Sequence, residues 1–143
     1  MINDEYNLQR FVAAQDPVYI DALDVLRRGM MCSPYIDFIF PRLDDELDVS
    51  ARDRFGIRSL DEARAYLAYP ILGNRYRECV RALSWLADLE ISSVFSATDG
   101  KKLHSSLTLF AEASNESALR EMLDIWFDNL ADEETLARLD LTA

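Results

Sequence analysis

The stretch SLDEARAYLAYPILGNRYRECVRALSWLA, Ser59 to Ala87, decides the fold class of this chain. Ser59 with Glu62 three residues on is a capping box, in which the serine caps a helix and the glutamate reaches back to it. Leu60, Ala63, Tyr66 and Leu67 then recur at helical spacing until Pro70 ends the run. Leu72, Tyr76, Cys79, Val80, Leu83, Leu86 and Ala87 repeat at three and four and mark the longest helix. Two amphipathic helices follow one another here, with no alternating β-branched run between them.

The pattern continues toward both ends. Leu8, Phe11 and Val12 open a short helix. Asp16-Pro17 reads as an N-cap followed by Pro at the first helical position. Val18, Ala22, Val25 and Leu26 make the stripe of that second helix, and Gly29 supplies its stop. From Met30 to Arg58 the helical period fails. This long irregular loop holds the apolar run Tyr35–Phe40, an acidic patch of Asp44, Asp45, Glu46 and Asp48, and room for a short helix around Tyr35–Phe40 or Ser50–Phe55. Beyond Ala87, Ile91 to Phe95 suits one helical turn, and Asp99-Gly100 signals a turn. Leu103, Leu107 and Phe110 begin a helix at Lys101 or Lys102. Leu119, Met122, Leu123, Trp126, Phe127 and Leu130 build another, and Asp132 caps a last one carrying Leu136 and Leu139. The reading is all-α: a single domain over residues 1–143, a compact orthogonal bundle of about six to eight helices with one long irregular loop.

Composition narrows the function classes. The chain has 143 residues, 15 Lys plus Arg against 26 Asp plus Glu, and a net charge of −11. That balance repels phosphate backbones and anionic membranes, so neither nucleic acid nor membrane is an expected partner. No apolar run reaches the roughly 18–20 residues of a membrane span, and the acidic start is unlike a secretory signal. The expected location is the cytoplasm, with Cys32 and Cys79 reduced and Cys79 on a buried stripe. Tyr66, Tyr69, Tyr76, Trp85, Trp126 and Phe127 stand at helical spacing and read as core packing before a ligand cage.

Catalytic motifs are missing. There is no phosphate-cradling glycine loop, no Cys pair at metal spacing and no His-Glu-x-x-His, so no cofactor or metal is expected. The single histidine, His104, reads as a surface residue rather than a general acid or base. The acidic patch lacks the spacing and glycine of a calcium loop. The segment from Asp99 to Thr108 holds more: Lys102, Ser105 and Ser106 share one helical turn and could hold an anion, although from composition alone helix capping with solvent exposure is the favoured reading of the serines. Asp37, inside an apolar run, either faces solvent or pairs with Arg10, Arg75 or Lys102.

Several of these stretches occur together in one family. QRFVAAQ at Gln9–Gln15, Val18-Tyr19 to Ala22-Leu23, Phe38-Ile-Phe-Pro41, Gly56-Ile57, Leu60 to Leu67, Leu72-Gly-x-Arg75 and Lys102-Leu-x-Ser-Ser-x-Thr-Leu-Phe110 follow in order. The chain thereby resembles the bacterial family known as domain of unknown function 1810, whose members are sometimes mislabelled calpastatin. The resemblance implies a small, mainly α-helical, single-domain cytosolic protein and brings no activity with it. It retains Arg10, Gln15, Arg75, Lys102, Ser105, Ser106 and Thr108. It departs where the family carries Lys, His, two Trp and Gln: Met31, Pro34, Tyr35, Asp37 and Arg42 stand there instead.

The expectation for function is a small, possibly anionic ligand held between the 30–43 loop and the 102–108 helix start. Lys102, Ser105, Ser106, Arg42, Asp37, Arg10 and Arg75 are the candidate contacts. It requires Lys102, Ser105 and either Arg42 or Arg75 to converge on one concave site. The alternative is a protein-interaction or structural module, monomer or homodimer, with Met30, Met31 and Tyr35 exposed together. An enzyme ranks last, since the sequence assembles no base, nucleophile or metal site.

Overall fold

The computed structural model of the protein describes residues 4–30, 33–43 and 55–139. Among them are nine helices: α1 (Gln9–Gln15), α2 (Tyr19–Arg27), α3 (Ser33–Ile39), α4 (Leu60–Ala68), α5 (Pro70–Ser84), α6 (Ile91–Val94), α7 (Ala97–Ala113), α8 (Ser117–Phe127) and α9 (Glu133–Arg138). The fold is an all-α orthogonal bundle. The only β-type pairing among the described residues is an isolated parallel bridge between Leu43 and Ile57. Of the two places suggested for a helix in the irregular loop, Tyr35–Phe40 lies in and just beyond α3. Most of the other, with the acidic patch, Met31 and Cys32, lies outside the described residues.

Local chemistry explains where helices begin and end, and corrects three helix starts and one capping bond. Gly29 stops α2 as expected. At φ +81° it lets its own N–H reach Leu26 O at 3.0 Å while the Met30 N–H reaches Val25 O at 3.1 Å, the paired bonds of a Schellman motif. Asp16-Pro17, by contrast, does not open α2. The N-cap is Val18, and Asp16 closes α1. The Asp16 carboxylate is taken by Arg75 at 2.7 Å, an interaction from another helix that outcompetes local capping. Ser59 caps α4, accepting from the Glu62 N–H at 3.1 Å, but Glu62 does not reach back to Ser59. Its carboxylate accepts from the Arg58 N–H at 3.1 Å and from Arg10 at 2.9 Å.

Pro70 starts a helix as well as ending one. Tyr69 closes α4 and caps α5, and Pro70 takes the first helical position, where its missing N–H costs nothing. Finally, Asp99-Gly100 is helical rather than a turn. Ser96 accepts from the Asp99 N–H at 3.1 Å, so α7 starts four or five residues earlier than its apolar stripe suggests. The signal was present as Ser96-Ala-Thr-Asp99, a capping pair three apart.

α7 is the central element, packed against α3, α4, α6, α8 and α9. It is buried on most sides, and its buried residues include Ser105, Ser106 and Thr108 besides Leu103, Leu107, Leu109 and Phe110. An aromatic cluster fills the space it shares with α4 and α5. Tyr76 lies 4.5 Å from Phe110, and Tyr66 lies 5.2 Å from both Phe110 and Phe11 between ring centroids. Tyr66 and Tyr76 are thus core, as expected. Trp85 is not: it projects from the end of α5 and is 83% exposed. Cys79 is buried on the α5 stripe, and that burial pushes its thiol up to about 12. A thiol held protonated reacts slowly with alkylating and disulfide reagents.

Candidate functional site

Three elements meet at a cleft of about 240 Å³ lined by Arg42, Thr98, Lys101, Lys102, Ser105, Glu134 and Arg138. The first wall belongs to α7. Thr98, Lys101, Lys102 and Ser105 stand at i, i+3, i+4 and i+7, so the helix presents all four on one face. The second is Arg42, beyond the Pro41 that follows α3. Its backbone carbonyl accepts from the Ile57 N–H at 3.0 Å, which fixes the chain there. Its side chain is buried, with Nη2 donating to Asp37 Oδ1 at 3.1 Å. Its Nε–H, also buried, has no hydrogen-bond partner among the described residues. An unsatisfied buried donor carries a desolvation cost of about 1–3 kcal/mol, which an incoming acceptor would relieve.

The third wall, α9, was not foreseen as part of a site. Asp132 holds it in place. Its Oδ2 accepts from the Thr135 N–H at 3.1 Å, from Thr135 Oγ1 at 2.7 Å and from Ser105 Oγ at 3.2 Å, while its own N–H donates to Thr108 Oγ1 at 2.9 Å. One buried carboxylate therefore caps α9 and bolts it to α7. Replacing Asp132 with Ala should cost about 2 kcal/mol, combining a lost cap with the loss of its hydrogen bonds from the Ser105 and Thr135 hydroxyls. Urea unfolding measures this; a loss below about 0.5 kcal/mol, the size of an ordinary surface change, would refute the bolt.

Lys102 and Asp37 complete the electrostatics. Lys102 Nζ lies 3.6 Å from Asp37 Oδ1 and 3.8 Å from Asp99 Oδ1. Asp37 therefore bridges Arg42 and Lys102, the pairing alternative, and its side chain is only 27% exposed. Arg42, Lys101, Lys102 and Arg138 line the cleft with Glu134, and the carboxylates of Asp37, Asp99 and Glu134 pair with Arg42, Lys102 and Arg138 within 4 Å, in a chain of net charge −11.

The other candidates lie elsewhere. Ser106 faces the core and shares a 2.9 Å hydrogen bond with the Tyr76 hydroxyl. Arg75 binds Asp16, donates to Gln15 Oε1 at 3.3 Å and lies 4.8 Å over the Tyr19 ring. Arg10 serves the N-terminal end, donating to the carbonyls of Tyr6 (2.7 Å), Asn7 (2.9 Å) and Gly56 (2.7 Å) besides Glu62. Helical spacing puts neighbouring serines on different faces but does not say which partner each face meets. His104 stacks on Phe127 at 4.1 Å and donates from Nε2 to Leu130 O at 2.6 Å. Of the proposed interface residues, Met30 is exposed, but Tyr35 packs against the core. Among the described residues no cluster of His, Cys, Asp or Glu could hold a metal, and no helix is long and apolar enough to cross a membrane.

A family model described as a protein of unknown function, DUF1810, matches residues 5–139. The chain belongs to this family. The crystal structure of the conserved hypothetical protein Rv1873 from Mycobacterium tuberculosis is similar to it at 36% identity, with a TM-score of 0.92, covering 96% of this chain and 99% of that one. None of the curated proteins matches the chain. In this DUF1810 member Asp37 and Arg42, where the resemblance implies Trp and Gln, are the two ends of one ion pair, and Arg42 lines the cleft.

Proposed function

We propose that this protein binds a small anionic ligand in the cleft between Arg42, the first half of α7 and α9. The observation that carries the reading is the convergence of Arg42, Lys102 and Ser105 on one concave site, with a buried Arg42 Nε–H awaiting an acceptor. A guanidinium from the segment after α3 and an ammonium from α7 suit an anion with several oxygens. The expected location remains the cytoplasm. Trp85, exposed at the end of α5, favours a second reading, an apolar contact for a protein partner.

Thermal shift against a panel of anions tests the first reading. A ligand at about 100 times its Kd stabilises the fold by about 2.7 kcal/mol, and Lys102→Ala should abolish most of that shift. Failure of every anion, or an unchanged shift in the variant, would remove the site.

Asp37 makes a sharper prediction. It occupies Arg42 and Lys102 in the free protein, so a bound anion must compete with it. Asp37→Asn should tighten anion binding by about 1 kcal/mol, roughly fivefold, the value of one partly exposed charge pair. Isothermal titration with inorganic phosphate measures it; weaker binding by the variant would mean that Asp37 supports the ligand instead.

A further inference from the structure

We infer that the ligand of this cleft is a small hydroxylated phosphate monoester without an aromatic base, an inference that rests on the anion reading above and narrows it. Four observations point the same way.

The wall chemistry comes first. Every described lining residue is charged or hydroxylic. Every Phe, Tyr and Trp of the chain lies within the described residues and none of them lines the cleft, so no ring is available to stack on a base. Pockets for nucleotides and drug-like molecules are mostly apolar and run from about 300 to 1,000 Å³. This one, at about 240 Å³, is smaller and polar.

Charge comes second. A monoester carries about −1.5 to −2 and three acceptor oxygens. Asp37 already gives Arg42 and Lys102 a single carboxylate. A monocarboxylate ligand would replace one such group with another for no electrostatic gain. A phosphate dianion adds charge and oxygens, and so displaces or supplements Asp37.

Geometry is third. Arg42 uses Nη2 on Asp37 and leaves Nε–H unpartnered. The Nε and Nη2 donors lie on one edge of the guanidinium, so an anion that displaces Asp37 from Nη2 and uncovers the buried Nε–H would engage that edge with two oxygens of one phosphate. Fourth, Glu134 is the wall's one carboxylate. It disfavours a second phosphate and accepts from a hydroxyl on the alcohol part of the ester.

The experiment is NMR titration of the full-length chain at low salt with inorganic phosphate, glycerol 3-phosphate, ribose 5-phosphate, AMP, succinate and acetate. The expected result is perturbation of Arg42, Lys102 and Ser105 by the phosphates. Ribose 5-phosphate should match AMP within about threefold, and acetate and succinate should be weaker by roughly tenfold or more. Lys101→Ala, at an exposed position, should weaken the esters about threefold, and Arg42→Lys roughly tenfold through loss of the two-donor edge. AMP binding tenfold tighter than ribose 5-phosphate would overturn the exclusion of a base, and succinate equal to the esters would overturn the phosphate-ester class; either leaves the anion reading standing. No perturbation by any anion, or binding indifferent to both variants, would overturn both.

Discussion

Arg10→Met should cost the fold about 3–5 kcal/mol, the usual result of stripping one partner from a buried charge pair. Glu62 is 2% exposed and pairs with Arg10 at 2.9 Å. The arginine also donates to the carbonyls of Tyr6, Asn7 and Gly56, so it ties the entry to α1 to the segment preceding α4. Its removal leaves a carboxylate in the interior that still accepts from the Arg58 N–H, and several carbonyls lose a charged donor at once. Met retains the apolar stem over the Phe11 ring, where the guanidinium carbon now sits 4.4 Å from the centroid, so the loss isolates charge and hydrogen bonding from packing. In a chain of this size the shift in Tm should be on the order of 10 °C. Adding Glu62→Gln should recover part of it, because the amide oxygen still accepts from Arg58 and no charge is stranded. A double-mutant cycle by urea denaturation measures the coupling. Additive losses from the two changes would show that the pair is not a unit.

Gly73→Ala is the second large effect, and two principles oppose each other in it. Helix propensity alone favours alanine in a helix interior by about 1 kcal/mol. Packing reverses the sign. A Cβ at Gly73 would lie 2.1 Å from the carbonyl oxygen of Leu67 and 2.6 Å from Arg77 Nη1. The oxygen belongs to the backbone of α4 and cannot rotate away. It also accepts from Arg77 Nη2 at 3.3 Å, and Arg77 pairs through two bonds with Glu116 at the start of α8. Relief requires α5 to move off α4, which disturbs the aromatic cluster of Tyr66, Tyr76 and Phe110. Overpacking on this scale costs about 3 kcal/mol, so the net effect should be destabilising by about 2 kcal/mol or more. Calorimetric unfolding of the variant checks it; a variant as stable as the parent or more so would mean that α4 and α5 do not approach this closely in solution.

These two residues show where sequence reading succeeds and stops. Arg10 was singled out as a cation, and Gly73 as part of a family motif, but neither assignment could be made without the partner. The spacing of Leu60 to Leu67 and of Leu72 to Ala87 identified two helices, since a 3.6-residue period needs nothing beyond the chain itself. Local readings failed where another group took over: Asp16 was drawn to Arg75 instead of opening α2, and Glu62 to Arg10 and Arg58 instead of Ser59, although Ser59 still caps α4. The α7 start was legible in Ser96-Ala-Thr-Asp99 and was masked by the apparent turn at Asp99-Gly100. At the candidate site, Lys102 and Ser105 came from helical spacing, Asp37 from a carboxylate set in an apolar run and Arg42 from a departure within a resemblance. Lys101, Thr98, Glu134 and Arg138 were missed. For Thr98 and Lys101 the four-residue face was readable once α7 was extended back to Ala97. For Glu134 and Arg138 no local signal existed.

The sequence by itself determined that the chain is helical, that it is strongly acidic and that Ser59, Gly29 and Asp132 punctuate its helices, because periodicity, charge and capping act over a few residues. The tertiary structure alone decided that Ser106 and Arg75 serve packing while Ser105, Arg42 and Lys102 share a cleft. That choice depends on which helix faces meet, and it is set by contacts such as Asp132 to Ser105 that join residues 27 apart in the chain.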